Sequence, residues 1–275
     1  MLLSKLIDKY ELANDLKASS VNQLRWTVRA LERELGRPAD VGDLTADAIN
    51  THLLALKNAG LAASTIRGRR VNLVTLWKYA RRCHYVLEKP VGIRKIKVPQ
   101  LAPRAWTQDE VQHLLTVIGS MQGTVMTGHK AAAYWRAYLL VGWDTGLRRC
   151  DLIKLSAKDV STDGLVVITQ EKTGEVITCR LRPETAAALA VLEGEGLSWE
   201  GRTEVWYRHF KRVLLTAGLV GKPKWIRRSS ATAVELEFPG MGGRHLGHKT
   251  PGLAERHYLD PVLLARNKPQ PPSLG

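Results

Sequence analysis

A chain of 275 residues, 44% hydrophobic and 24% charged, carries enough apolar side chains for two ordinary cores, which excludes a disordered polypeptide. Its formal net charge of +15 favours a polyanionic partner, either a nucleic acid or an anionic membrane surface. No apolar run approaches a spanning length, and Met1-Leu2-Leu3 meets Ser4 and Lys5 at once, so neither a membrane span nor a secretory leader is expected. Nucleic acid is the partner that remains. Cys83, Cys150 and Cys179 are scattered without a C-x-x-C pair, which suits a reducing cytoplasm rather than a disulfide framework.

The first ninety residues read as four helices. Leu3, Leu6, Ile7 and Tyr10 mark the first. Ser20 is the expected cap of the second, whose stripe is Leu24, Val28, Leu31 and Leu35 and whose stop is Gly36. Thr45 opens the third (Ile49, Leu53, Leu56, with Gly60 at its end), and Ser64 the fourth (Ile66, Leu73, Trp77, Ala80). All four stripes read as core packing. The fourth helix also carries Arg67, Arg69, Arg70, Lys78, Arg81 and Arg82. A charge run is ordinarily a solvated face, but no acid lies between Ala62 and Val86, so this one is expected to face phosphates. Lys89, Arg94, Lys95 and Lys97 follow among Pro90, Gly92 and Pro99, again without an acid, as a basic linker suited to tracking a phosphate backbone.

Thr107-Gln108-Asp109-Glu110 is a capping-box sequence ahead of Val111, Leu114, Leu115 and Ile118, and begins a second domain. A buried helix is expected from about Lys130 to Asp144, stopped by Thr145-Gly146, with Arg148 just beyond at the opening of a helix through Asp151, Leu152 and Leu155. A cation there opposes the helix dipole, which makes sense if an anion joins it. Gly164–Thr169 and Val176–Leu181 are β-branched runs joined by a turn containing Lys172-Thr173-Gly174, which reads as a hairpin. A lysine on such a tip is ordinarily just solvated. Pro183 starts a further helix, and Trp206, Phe210, Val213 and Leu214 mark another before Gly218. Then come Lys224-Trp225-Ile226-Arg227-Arg228, Leu246-Gly247-His248 and Tyr258, with Thr250-Pro251 as the expected start of the tyrosine's helix. His245, His248 and His257 lack a zincin glutamate and any cysteine or acid cluster, so no metal is expected. Tyr79, Tyr134 and Tyr138 read as core; the last few residues are proline-rich.

In order and spacing, Thr145-Gly146-Leu147-Arg148, Lys172-Thr173-Gly174, Lys224-Trp225-Ile226-Arg227, Leu246-Gly247-His248 and Tyr258 resemble the tyrosine recombinases, the phage-integrase family. Gly60-Leu61-x-x-Ser64-Thr65-Ile66 before a basic helix is similar to that family's core-binding domain. The resemblance implies a mainly α fold with a small β-hairpin (α+β), divided into a helical DNA-binding domain at residues 1–92, a linker at 93–105 and a catalytic domain at 106–275. It implies that Tyr258 attacks phosphorus to form a 3′-phosphotyrosyl bond and that Arg148 and Arg227 hold the equatorial oxygens. His248 and Lys224 would support the phosphate and assist proton removal, Lys172 would protonate the leaving 5′-oxygen, and Asp151 would orient its neighbours. Lys224 stands where the family usually has histidine, and Arg228 where histidine is also frequent; register favours Arg227 as the catalytic arginine. No ATP or metal is implied, because the covalent link conserves the bond energy. The partners implied are double-stranded DNA and further copies of the chain, as a tetramer on paired sites, in a bacterial or phage-encoded, nucleoid-associated setting. Departures between Lys224 and Thr232 look more like a mobile-element integrase than a housekeeping recombinase, without the extra N-terminal arm-binding domain of some phage integrases. The alternatives are a type IB topoisomerase and a catalytically silent DNA-binding regulator on the same fold.

Overall fold

The computed structural model describes residues 1–265 apart from Glu195 and Glu200; the proline-rich last residues lie outside the described range. The chain forms two compact units, Met1–Gln100 and Leu101–Gly275. It is mainly helical, with a single two-stranded antiparallel sheet among the described residues.

The first unit holds α1 (Leu3–Asn14), α2 (Ala18–Leu35), α3 (Ala46–Asn58) and α4 (Ala63–Arg82). Leu3, Leu6, Ile7, Leu24, Leu31, Ile49, Leu53, Leu73 and Trp77 are all buried in one core, as the stripes require. Gly36 caps α2 in the left-handed region at φ 66°, and the Thr45 hydroxyl accepts from the Ala48 amide to cap α3. Two expected caps are corrected. Ser20 lies inside α2, which starts two residues earlier behind Lys17, because burial of Val21 draws the first turn against the core. Ser64 lies inside α4, whose first carbonyl is that of Ala62, accepting from the Thr65 and Ile66 amides. The basic segment from Ile93 to Gln100 packs with this unit. Ile93 is buried, the Arg94 amide donates to Asn50 Oδ1 (2.8 Å), and Arg70 Nε donates to the Arg94 carbonyl (2.8 Å).

The second unit runs α5 (Gln108–Gly119), α6 (Ala131–Thr145), α7 (Arg149–Leu152), β1 (Leu165–Thr169), β2 (Val176–Arg180), α8 (Pro183–Ala190), α9 (Thr203–Thr216), α10 (Lys224–Glu237), α11 (Gly242–His245), α12 (Leu253–His257) and α13 (Pro261–Ala265). Thr107 and Glu110 make both hydrogen bonds of the capping box. α6 is apolar nearly all round and is buried at the centre, where Tyr134, Trp135 and Tyr138 pack with Trp206 and Phe210 of α9. α7 is only four residues long, so Leu155 lies beyond it, still buried. β1 and β2 pair from Leu165 opposite Arg180 to Thr169 opposite Val176. The helix before the tyrosine begins at Leu253, not at Thr250-Pro251: Gly252 takes φ 70°, which breaks helical continuity. Tyr258 consequently sits just past the end of α12, its amide donating to the Ala254 carbonyl (2.7 Å).

Gly146 ends α6 at φ 57°, and a Cβ built there would lie 2.8 Å from Leu246 Cδ2 and 2.9 Å from His245 Nε2. Both the backbone and the space demand glycine. Gly146→Ala should lower unfolding stability by about 1–3 kcal/mol from the left-handed strain alone, read as the urea midpoint. Gly36→Ala, with nothing within 4 Å of its Cβ, should cost visibly less.

Candidate active site

Arg227, in the first turn of α10, is 2% exposed. Its Nη1 donates to the Gly146 carbonyl and its Nη2 to the Leu246 carbonyl (3.0 Å). Nη2 also lies 3.2 Å from His248 Nε2. A guanidinium only donates, so Nε2 accepts and the imidazole proton sits on Nδ1. The guanidinium lies 5.0 Å from the Tyr258 ring centroid, and the His248 and Tyr258 rings are 4.8 Å apart. Two turns and the start of a helix thereby bring Arg227, His248 and Tyr258 together.

Arg148 is the cap residue before α7, in extended backbone, and its Nη1 donates to Gln170 Oε1 (2.7 Å). Asp151 is fully buried, and its Oδ1 accepts from the Glu171 amide (2.9 Å). These two bonds fasten the α7 turn to the hairpin loop that holds Lys172. The Lys172 side chain itself is exposed at the tip. Lys224 is exposed on the first turn of α10, close enough to Tyr258 to interact with it electrostatically.

The two adjacent arginines diverge. Arg228 bonds to backbone instead, its Nε donating to the His257 carbonyl (3.1 Å) and its Nη1 to the Arg104 carbonyl (3.4 Å). Asp260, 5% exposed, accepts from the Ala105 amide (2.8 Å), while its own amide donates to the Thr232 hydroxyl (3.0 Å). The backbone on both sides of Tyr258 is tied down by these groups.

One cause governs the electrostatics: cations are buried together. Burial first, with Arg148 adding to it, brings Arg227 down to about 10, although Tyr258 opposes the shift. Burial, then Arg227 and Arg148, push His248 down to about 4. The part of Lys224 covered by protein, followed by Arg228 and Lys222, lowers its pKa as well. His245, bonded to the Ser230 hydroxyl (2.6 Å), is brought to about 4 by burial and by Arg227.

Four buried polar atoms of this cluster have no hydrogen-bond partner within the protein: Arg227 Nε, His248 Nδ1, Gln170 Nε2 and Asp151 Oδ2. The first three are donors. Buried polar groups are nearly always paired, so three orphan donors beside two guanidinium groups form a site for an anion with several oxygens. A concavity of ≈ 800 Å³ lined by Trp106, Asp144, Arg182, Ser230 and His245 includes none of Arg148, Arg227, His248 or Tyr258. Its Arg182 is already paired with Asp144 (2.8 Å).

On α4, Arg67, Arg70, Lys78, Arg81 and Arg82 share one side within roughly 120° at 100° per residue, and Lys89, Arg94, Lys95 and Lys97 are exposed beyond it. Arg69 stands on the opposite side, where its Nη1 donates to the Thr27 hydroxyl of α2 (3.0 Å). There it borders a shallow concavity of ≈ 690 Å³ with Arg29, Arg33 and Trp26, which is 56% exposed. The sequence reading missed this cluster because it joins two helices; an exposed tryptophan between Arg25 and Arg29 was the available signal. It missed Gln170 as well, which looked like an ordinary turn residue.

No family model matches the chain. It is 28% identical over 249 residues to the tyrosine recombinase XerA of Thermococcus kodakarensis, covering 83% of this chain and 80% of that one. Its fold is similar to that of a lambda integrase dimer bound to a COC′ core site, with a TM-score of 0.75, 20% identity and all of both chains covered. A lambda integrase tetramer bound to a Holliday junction gives 0.71 at 20% identity, over 92% of this chain and 79% of that one. The Tn1549 transposon integrase in complex with circular intermediate DNA gives 0.69 at 15% identity, over 97% and 98%. The fold is that of these integrases.

The buried imidazoles set a pH dependence. His245 and His248 sit at about 4 when folded against an ordinary 6.5, so between those values the folded state binds fewer protons. Their stabilisation is whole above pH 6.5 and is lost as pH falls toward 4. The urea midpoint should therefore drop across that window, and His245→Gln should make the drop shallower; an unchanged slope in that variant would contradict the buried neutral imidazole.

Proposed function

We infer that this chain is a tyrosine recombinase, a site-specific DNA breaking and rejoining enzyme. The observation that carries the reading is the meeting of Arg148, Arg227, His248 and Tyr258 around orphan donors, on an integrase fold. Tyr258 is the nucleophile: its phenolic oxygen attacks the scissile phosphorus, a 3′-phosphotyrosyl bond forms and the 5′-oxygen leaves with its electron pair. Arg148 and Arg227 neutralise charge growing on the equatorial oxygens, where one such donor is worth on the order of 10²–10³ in rate.

His248 acts as a hydrogen-bond donor to phosphate through Nδ1 rather than as a proton carrier near neutrality, since its low pKa keeps it uncharged. Lys224, with its lowered pKa and its place near Tyr258, is the group suited to drawing off the phenolic proton. Lys172 delivers a proton to the leaving 5′-oxygen, and Asp151 holds the hairpin from which it reaches. Energy is conserved in the covalent bond, so strand joining is the same step reversed and needs no cofactor.

The substrate is double-stranded DNA. The α4 face and the basic segment at residues 89–97 contact phosphates, with residues 1–92 as the DNA-binding domain, 93–105 as the linker and 106–275 as the catalytic domain. Copies assemble on paired sites as a tetramer, as the lambda integrase does on a Holliday junction. The setting is the cytoplasm, on the nucleoid, for a bacterial or phage-encoded protein, and the role is that of a mobile-element integrase.

Tyr258→Phe should bind DNA as the parent does and give no protein–DNA adduct on a nicked suicide substrate; an adduct formed by this variant would remove Tyr258 from the role. Lys172→Ala should cleave ordinary DNA very slowly but recover most of its rate when sulfur replaces the 5′-bridging oxygen, because a thiolate departs unprotonated. Arg148→Ala should show no such recovery. Equal defects of Lys172→Ala on both substrates would leave it a binding residue only.

A further inference from the structure

Gln170 is the last residue before the hairpin tip and is 1% exposed, although its neighbours Glu171, Lys172 and Thr173 are all exposed. A glutamine is seldom buried in a loop unless both ends of its amide are employed. Its Oε1 accepts from Arg148 Nη1 (2.7 Å) and from the Thr173 hydroxyl (2.9 Å). The amide orientation is fixed by chemistry: a guanidinium only donates, so the oxygen and not the nitrogen must face Arg148. Nε2 is left buried with no partner in the protein. It is bonded to the same carbonyl carbon as the oxygen that holds Arg148, and so lies beside that guanidinium. A buried amide N–H with no acceptor is costly, and the backbone around it is committed elsewhere: the Gln170 amide donates to the Glu175 carbonyl (2.8 Å), the Gln170 carbonyl accepts from the Gly174 amide (2.8 Å), and the Glu171 amide donates to Asp151 (2.9 Å). The loop is therefore held rigidly with this N–H presented where the cationic cluster is.

We propose that Gln170 is a further catalytic residue of this site, donating from Nε2 to a non-bridging oxygen of the scissile phosphate while its Oε1 positions Arg148. The inference rests on the recombinase reading above and deepens it. Gln170 adds a neutral donor to a set of cations, and it makes the order of the Lys172 loop depend on the same side chain that aims Arg148. A second consequence is that the loop cannot swing away without releasing both the N–H and the arginine.

The test measures single-turnover adduct formation on a nicked suicide substrate at saturating DNA. Gln170→Met, close in shape but with neither donor nor acceptor, should be slowed on the order of 10²-fold, as for removal of one preorganised donor. Gln170→Glu keeps an acceptor for Arg148 but loses the N–H. It should also be slow while binding DNA as the parent does, which keeps the test open if the methionine variant folds poorly. The decisive readout replaces one non-bridging oxygen of the scissile phosphate by methyl, separately in each diastereomer. The Gln170→Glu defect should shrink several-fold on the diastereomer that lacks the oxygen Nε2 contacts, and persist on the other. The same defect on the phosphodiester and on both diastereomers would overturn the contact and leave Gln170 a packing residue. Parental rate in Gln170→Glu would overturn it as well. If the parent chain forms no adduct on any substrate, the recombinase reading itself has failed, a result separable from either of these.

Discussion

A guanidinium with almost no access to water is the constraint around which the catalytic unit is arranged. Arg227 has to leave solvent without a carboxylate bonded to it, and the compensation is two backbone carbonyls, of Gly146 and Leu246, together with an imidazole nitrogen. Removing such a charge from water is costly unless it is closely hydrogen-bonded. Those carbonyls belong to the end of α6 and the turn after α11, so solvating one cation fixes how three segments meet. Gly146 is part of the same solution, since any side chain there would occupy the space of Leu246 and His245. The compensation is incomplete, however, because Nε stays unpaired and Arg148 adds a second positive charge nearby. The cluster is left complementary to an anion. The depressed values of His248 and His245 follow from burial first and then from Arg227, with Arg148 adding to the effect on His248.

Tied and exposed residues are separated along the hairpin. Gln170 and Glu171 are tied by side-chain and backbone bonds to Arg148 and Asp151, whereas Lys172 is exposed one residue further on. Phosphate-gripping groups gain from being preorganised, because their alignment is settled before substrate arrives. The proton donor proposed for this site, Lys172, has a different requirement: it would have to reach an oxygen whose position is set by the DNA, and a long side chain on a fixed base supplies that reach.

The tyrosine is fixed differently again. It lies past the end of a five-residue helix, where intrahelical bonding alone would hold it poorly. Arg228 takes the carbonyl just before it, and Asp260 takes the Ala105 amide on the segment that leads into α5. Consecutive residues of α10 thus divide their bonds: Arg227 meets His248 and two turn carbonyls, and Arg228 braces the backbone just before Tyr258. A turn of roughly 100° between neighbours on a helix is enough to divide the two roles.

Most of the helices were legible in the chain because their apolar stripes repeat at helical spacing and their stops are glycines such as Gly36 and Gly146. The hairpin was legible from β-branched runs around Lys172-Thr173-Gly174. The order of Arg148, Lys172, Arg227, His248 and Tyr258 pointed to one chemistry before any fold was known. Local signals failed where packing outweighs capping: burial of Val21 carries α2 past Ser20, and the positive φ of Gly252 delays α12 beyond Thr250-Pro251. Tertiary structure alone decided which of two adjacent arginines is buried, which tautomer His248 adopts, and that Arg69 is bonded to Thr27 of a neighbouring helix. It also brought Gln170 to Arg148, across 22 residues of sequence. The physical reason is common to these cases. Periodicity and turn chemistry are properties of neighbours along the chain, whereas desolvation and hydrogen-bond pairing depend on which distant groups share a dry volume.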